Sequence, residues 1–327
     1  MSSIMMDQGL GKFQLDPELV AEARERLHPH IRVTPVLRSG YDPEVVFKAE
    51  NLQVTGAFKI RTSLIQILNL SHEQTHRGLV ACSSGNFAIA TAYAAKKLGF
   101  SAKIVMPQTA NPVKVERTRR LGAEVVFCDD DFDAEVAAVA RIVAEENRSQ
   151  IEPSDHQLAV VAGATVGLEI LEQYPQAENI AVPIGGGGLI SGVAAIVKAL
   201  KPSVRVWGVQ AEGCQPAYLS FHAKTHKRVE RPDTIADGLK VARLGDLTFP
   251  MILDFVDEVL TVPENCILGA VRHFVEEERL IVEPAGAVTF AAVQEGKIPR
   301  KRTALILSGG NISRKVLLQA LATETDN

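Results

Sequence analysis

The uncharged stretch 180–197, IAVPIGGGGLISGVAAIV, constrains this chain more than any other. Its length approaches the roughly 20 apolar residues of a membrane span. Pro183 and the run Gly185-Gly186-Gly187-Gly188 interrupt it, so a strand, a glycine turn and a helix explain it better. Two other segments share this grammar of apolar strand, small-residue turn and helix: Ser83-Ser84-Gly85-Asn86 and Ser308-Gly309-Gly310-Asn311.

The rest of the sequence keeps the rhythm. Strands are expected at 45–49, 79–83, 102–106, 125–128, 180–184, 204–209 and 303–307. Helices are expected at 16–28, 57–70, 86–98, 111–122, 132–147, 165–173, 189–200, 263–278, 284–294 and 312–322. Asp16-Pro17-Glu18 shows the logic of a helix start: Asp caps, Pro fits the first turn, and Glu favours the positive end. Alternating strands and helices define an α/β fold with open, mostly parallel sheets flanked by helices.

A length of 327 residues leaves room for about two domains. With 46% apolar and 23% charged residues, the chain buries a core without disulfide or metal staples. A net charge of −4 lacks the basic field of a nucleic-acid binder. Cys82, Cys128, Cys214 and Cys266 form no C-x-x-C pair, and the N-terminal MSSIMMDQGLGKF has neither a basic nor a long apolar region. A cytoplasmic protein with no membrane partner is expected.

In parallel α/β sheets ligands collect at the carboxyl ends of strands, where helix N-termini offer free N–H groups and a positive dipole end. The 185–188 turn suits an anion best, because glycines let several N–H groups converge on it. It is neither a dinucleotide fingerprint, since G-x-G-x-x-G fails throughout, nor a P-loop, since no Lys-Ser/Thr follows. The phosphate of a non-dinucleotide cofactor fits it. The 83–86 and 308–311 turns read as helix caps compatible with anion binding. Lys59 stands near a helix start, where a cation opposes the dipole; it reads either as a surface lysine or as a Schiff-base nucleophile. The pairs His72/His76 and His222/His226 have i, i+4 spacing but no third metal ligand, and Glu276-Glu277-Glu278 reads as a solvated helix end.

Together these motifs resemble the fold-type II pyridoxal-phosphate (PLP) enzymes, a tryptophan synthase β-like fold, and within them the serine/threonine dehydratase (ammonia-lyase) and serine racemase group. The resemblance rests on ENLQ at 50–53, GAFKIR at 56–61, SSGN at 83–86, PIGGGGLISG at 183–192, TIADGL at 234–239, VEPAGA at 282–287 and LSGGN at 307–311. It covers nearly the whole chain, in the family's order. It implies that Lys59 bonds covalently to PLP and takes the substrate Cα proton, that Phe58 lies near the ring, and that Asn86 meets the ring hydroxyl. Gly185, Gly186, Gly187 and Gly188 would cradle the phosphate and Ser308 would face the pyridine nitrogen. Leu189, Gly238, Glu283 and Gly309 would complete the cofactor's surroundings. Ser83, Ser84, Gly85, Asn86 and Phe87 would form the substrate loop, with Ser84 matching the serine that racemases use on the opposite ring face.

The resemblance further implies a small domain inserted at 71–147, a large PLP-binding domain at 1–70 and 148–327, and a homodimer. The implied reaction is dehydration and deamination of a small β-hydroxy amino acid, L-threonine or L-serine first, to a 2-oxo acid and ammonia. Phe87 departs from the family's usual His, Thr62-Ser63 from Gly-Ala, and the 152–156 and 162–165 segments from their usual patterns. These departures keep open 3-hydroxyaspartate, a hydroxyectoine-derived diamino acid, racemisation of the serine or aspartate type, and a non-catalytic ligand-binding relative. Racemases hold a divalent cation through a Glu and an Asp after a late strand. Gln210 and Pro216 stand in that stretch, so no metal site is expected, and the regulatory domain of allosteric threonine deaminases is expected to be missing.

Overall fold

The computed structural model describes residues 5–6, 13–110, 112–130 and 132–322; Asn111, expected to open a helix, lies outside them. A short antiparallel pair, β1 (Met5–Met6) and β2 (Phe13–Gln14), precedes α1 (Pro17–Leu27). The Asp16 side chain caps α1 by accepting from Glu18 N at 2.9 Å. Then come β3 (Val36–Arg38), β4 (Val45–Lys48), α2 (Lys59–Leu68) and α3 (His72–His76). The middle of the chain is β5 (Leu79–Cys82), α4 (Asn86–Leu98), β6 (Ala102–Pro107), α5 (Pro112–Arg120), β7 (Glu124–Cys128), α6 (Phe132–Glu146) and β8 (Ser149–Gln150). After it follow α7 (Gln157–Gln173), β9 (Asn179–Pro183), α8 (Gly188–Leu200), β10 (Arg205–Ala211), α9 (Pro216–Ala223) and α10 (Thr248–Phe255). The last elements are β11 (Glu258–Val262), α11 (Glu264–Glu276), α12 (Pro284–Gln294), β12 (Thr303–Ile306) and α13 (Arg314–Ala322).

Two sheets organise these elements. One runs β11-β10-β9-β12-β4-β3, parallel except for the antiparallel β3 edge. The other runs β7-β6-β5-β8, all parallel, and is formed by chain lying between β4 and β9 of the first. Strands β4, β9 and β12 are buried along their whole length, as expected of parallel strands with both faces covered. A single apolar cluster runs from Leu79 and Ile104 of the smaller sheet through Ile60 and Leu64 of α2 to Val182 and Ile306 of the larger.

Helix α7 begins at Gln157, eight residues before the expected start, so Ala162-Gly163-Ala164-Thr165 is helix rather than an altered loop. Its small residues let α8 approach closely. A Cβ on Gly192 would lie 2.1 Å from Val160 O and 2.5 Å from Ala164 N. Gly192→Ala is therefore expected to lower stability by about 1–3 kcal/mol or more, since backbone cannot step aside as a side chain can. An unchanged urea midpoint would mean that the two helices slide apart without cost.

Several sequence expectations change. His222 lies on α9 while His226 follows it, and each bonds a backbone carbonyl, Val259 O at 2.9 Å and Leu244 O at 3.0 Å. Glu278 is not a solvated helix end: its Oε1 accepts from Ser39 Oγ and Gly40 N, both at 2.9 Å. No helix of the described residues is long and apolar enough to cross a membrane.

Candidate active site

The order of the larger sheet builds the site. Strands β9, β12 and β4 are adjacent and parallel, so the turns that leave their carboxyl ends converge. Those turns are 185–188, 308–311 and the segment leading to Lys59. Two of them are stitched directly: Phe58 N donates to Ser308 O at 3.0 Å, and Gly310 N to Gly56 O at 2.8 Å. Ala57 and Gly309 form an isolated antiparallel bridge.

Lys59 is the first residue of α2, with Phe58 as its N-cap. Its side chain is half-buried, and Nζ donates to Pro153 O at 2.5 Å. The amine lies 5.0 Å from the Phe58 ring centroid and 5.8 Å from that of Phe87. Burial lowers its pKa to about 8 from an ordinary 10.5. Aromatic walls with a carbonyl in place of a carboxylate suit an amine that must become neutral to act as a nucleophile.

The 185–188 turn opens α8, with Gly187 left-handed at φ +100°. Among the described residues, no acceptor takes the N–H groups of Gly185, Gly186, Gly187 or Gly188. Space is as restricted as the conformation. A Cβ would come 3.2 Å from Gly238 O at Gly185, 2.2 Å from Ser154 Oγ at Gly186, 2.6 Å from Thr248 Cβ at Gly187 and 2.7 Å from Ser154 O at Gly188. Free donors at a helix start, lined by backbone and hydroxyls, form a cradle that could hold a phosphate. Leu189 can add only its backbone, because its side chain is in the core.

The segment 153–155, part of the 152–156 stretch that departs from the family's pattern, links this cradle to the lysine. Pro153 holds the amine, Ser154 lines the glycines, and Asp155 accepts from Asp246 N, Leu247 N and Thr248 N at 2.9, 3.0 and 3.3 Å. Thr248 Oγ1 in turn donates to Gly186 O at 2.7 Å. Only the Ser-Asp pair hints at a capping turn.

On the far side, Asn86 Nδ2 donates to Glu283 Oε1 at 2.6 Å. Glu283 is buried at the start of α12, and a Cβ on Gly309 would lie 2.3 Å from its Oε1. Burial, aided by Asp237, raises the Glu283 carboxyl to about 7, against Asn86 and Lys114. Ser308 is buried, with Oγ 3.4 Å from Ala285 O. Gly238 lies on the 3-10 turn Asp237–Leu239 next to Gly185.

The substrate-loop residues divide. Ser83 Oγ accepts from Gly85 N at 3.1 Å, Gly85 caps α4, and Ser84 lies at the tip of the turn. Phe87 is 2% exposed, in the core, where its ring backs the lysine. Gln210 is a buried helix anchor. Its Oε1 accepts from Ala217 N at 2.8 Å and Tyr218 N at 3.1 Å, anchoring the first turn of α9. Among the described residues, no three His, Cys, Asp or Glu side chains gather as metal ligands.

A lysine with a lowered pKa, an anion cradle and a hydrogen-bonded carboxamide at the carboxyl ends of parallel strands define a site for a phosphorylated aldehyde cofactor. Residues 27–309 match the family model described as pyridoxal-phosphate dependent enzyme, and the chain belongs to that family. It is 37% identical over 302 residues to the catabolic L-threonine dehydratase of Escherichia coli, covering 90% of this chain and 92% of that protein. The solved structure of maize serine racemase matches with a TM-score of 0.88 at 37% identity, over 94% of this chain and 96% of that one. A crystal structure of T.th. threonine deaminase matches with a TM-score of 0.86 at 37% identity, over 91% of this chain and 99% of that one.

Proposed function

We propose that this protein is an ammonia-lyase that dehydrates and deaminates a small β-hydroxy amino acid, L-threonine or L-serine first, to a 2-oxo acid and ammonia. The observation that carries the proposal is the amine of Lys59, held by Pro153 O beside the glycine cradle. PLP, when bound, supplies an electron sink for bond cleavage at the substrate Cα. Lys59 would hold it covalently, with Phe58, Asn86, Gly238, Glu283, Ser308 and Gly309 around the ring. The N–H groups of 185–189 would hold the phosphate. The Ser83-Ser84-Gly85-Asn86 turn, at the N-terminus of α4, would bind and orient the substrate carboxylate. Phe87 backs this turn and keeps water from the lysine. Once the substrate amine has displaced Nζ, Lys59 would take the proton from Cα, and the hydroxyl would take up one proton in turn and leave Cβ as water. The released enamine tautomerises and is hydrolysed to the 2-oxo acid and ammonia.

Ser308 offers a neutral hydroxyl at its position, which suits elimination better than a partner that holds full positive charge on the ring. The Ser84 hydroxyl at the tip of its turn supports a second reading, racemisation, in which it would serve the face opposite Lys59. The resemblance to threonine deaminase and serine racemase supports a division into an inserted small domain at 71–147 and a large domain formed by both flanks. The smaller sheet supports it too, with its edge strand β8 just beyond. A cytoplasmic homodimer is part of the same proposal.

The test is 2-oxo acid release and enantiomer conversion from L- and D-serine, L- and D-threonine, 3-hydroxyaspartate isomers and a 3-hydroxy-2,4-diamino acid. The expected result is 2-oxo acid from one L-hydroxy amino acid. Enantiomer conversion without 2-oxo acid would favour the racemase, and silence throughout would sink both.

A further inference from the structure

Arg117 stands exposed on α5, among the helices of the smaller sheet, yet it reaches across to the larger one. Its Nη1 donates to Asn311 Oδ1 at 2.6 Å and its Nη2 to Thr55 O at 3.4 Å. Asn311 Nδ2 donates to Asn86 Oδ1 at 2.8 Å and to Thr55 O at 3.0 Å. Asn86 Nδ2 then donates to Glu283 Oε1 at 2.6 Å. The chain of bonds has a direction. Each carboxamide accepts on oxygen and donates from nitrogen, so Arg117, which can only donate, and Thr55 O, which can only accept, together orient the Asn311 amide, and through it Asn86.

The path is built into the backbone. Gly56 is left-handed at φ +79°, and a Cβ there would lie 2.6 Å from Asn311 Oδ1. Gly309 leaves the matching space for Glu283 Oε1 at the other end. The same helix α5 makes a second contact nearby, where Lys114 pairs with Asp237, the neighbour of Gly238.

We propose that Arg117 and Asn311 are positioning residues of the site, which hold the Asn86 carboxamide in one orientation and so tie the seating of α5 to the Asn86–Glu283 wall of the cofactor pocket. This rests on the reading of Asn86 and Glu283 as cofactor-facing. Glu283 makes the relay measurable. Burial raises its pKa to about 7 and Asp237 adds to the rise, while the Asn86 hydrogen bond, Lys114 and the Asn311 backbone oppose it. Without the arginine donor the Asn311 amide keeps Thr55 O but loses the partner on its oxygen, and it holds the Asn86 amide less firmly. The Asn86 hydrogen bond to the charged carboxylate then weakens, and the Glu283 pKa moves further up.

The experiment uses the PLP-loaded full chain with Arg117→Met and Arg117→Lys. It reads bound PLP per chain, the pH titration of the bound-cofactor absorbance, kcat, KM and the thermal midpoint. Arg117→Met is expected to keep its PLP and its thermal midpoint, to shift the titration upward by about half to one pH unit, and to lower kcat about tenfold with KM little changed. Arg117→Lys, which retains one donor, is expected to recover most of both. An unchanged titration and kcat in Arg117→Met would overturn the proposal. So would a loss that follows the thermal midpoint and is not recovered by lysine, because that is the mark of a structural contact alone. If wild type releases no 2-oxo acid, the absorbance titration still decides the relay, so the two readings fail separately.

Discussion

Lys59→Ala is expected to lose the absorbance band of lysine-bound PLP and to lower 2-oxo acid release by at least about a thousandfold. On the proposed reading the variant would remove the covalent attachment and the base together. Lys114 offers no substitute, because it is tied to Asp237. Folding should survive, because the side chain is half-buried and its polar contact is one bond to Pro153 O. A pH signature separates this effect from unfolding. Burial holds the amine at about 8 in the folded, cofactor-free protein against an ordinary 10.5. Between those values the unfolded chain binds more protons, so stability rises as pH climbs through that window. Lys59→Ala should remove that part of the slope. A persisting band would place the attachment elsewhere, and an unchanged slope would mean that the amine is not desolvated.

Glu169→Gln is expected to cost about 3–5 kcal/mol, a fall in thermal midpoint on the order of 10 °C. Lys48, Glu50, Arg61 and Glu169 form a buried cluster, each at most 2% exposed. Arg61 binds Glu50 through Nε and Nη2 at 2.9 and 2.8 Å, and Glu169 through Nη1 and Nη2 at 2.6 and 2.9 Å. Lys48 Nζ donates to Glu169 Oε2 at 2.5 Å, to Thr34 O at 2.6 Å and to Gln173 Oε1 at 3.0 Å. Two cations balance two carboxylates. Burial opposes the charge on Glu50, but Arg61 and Lys48 outweigh it and keep the carboxyl below its ordinary range. Glutamine keeps the shape but leaves two buried cations facing one carboxylate, which is why the loss exceeds that of one neutral hydrogen bond. A loss below about 1 kcal/mol would mean that Lys48 sheds its proton instead, a course its burial-lowered pKa already favours.

The cluster also shows where a sequence falls silent. Lys48, Glu50 and Arg61 look like ordinary charges beside a strand and on a helix, and nothing in their spacing reveals Glu169 more than a hundred residues away. The first half of the helix Gln157–Gln173 is hidden for a related reason. Its first turns are marked by the His156 side chain accepting from Leu158 N at 3.1 Å, a cap that histidine rarely signals, and its glycines serve packing against α8 rather than a loop. Strand β11 and helices α9 and α10 escape the sequence pattern because they are short and owe their form to neighbours. Gln210 anchors α9, Asp155 anchors α10, and β11 completes an edge laid down by β10.

The chemistry-bearing motifs are more legible, because they depend on backbone that only certain residues allow. Four glycines before a helix, a lysine at another helix start and small-residue turns after apolar strands determine the fold class and the candidate residues before any contact is known. Local sequence sets such things because helix starts, left-handed turns and strand burial are decided within a few residues. The tertiary structure alone decided which turns meet. The adjacency of β9, β12 and β4 brings the cradle, Ser308 and Lys59 together, and Pro153 O, rather than any charged group, receives the amine. It also decided that Phe87 lies in the core, that Arg117 reaches Asn311 and that Asn311 reaches Asn86. Those pairings join residues up to 225 positions apart, and side-chain contacts at such separations follow from strand order and packing, which no local pattern records.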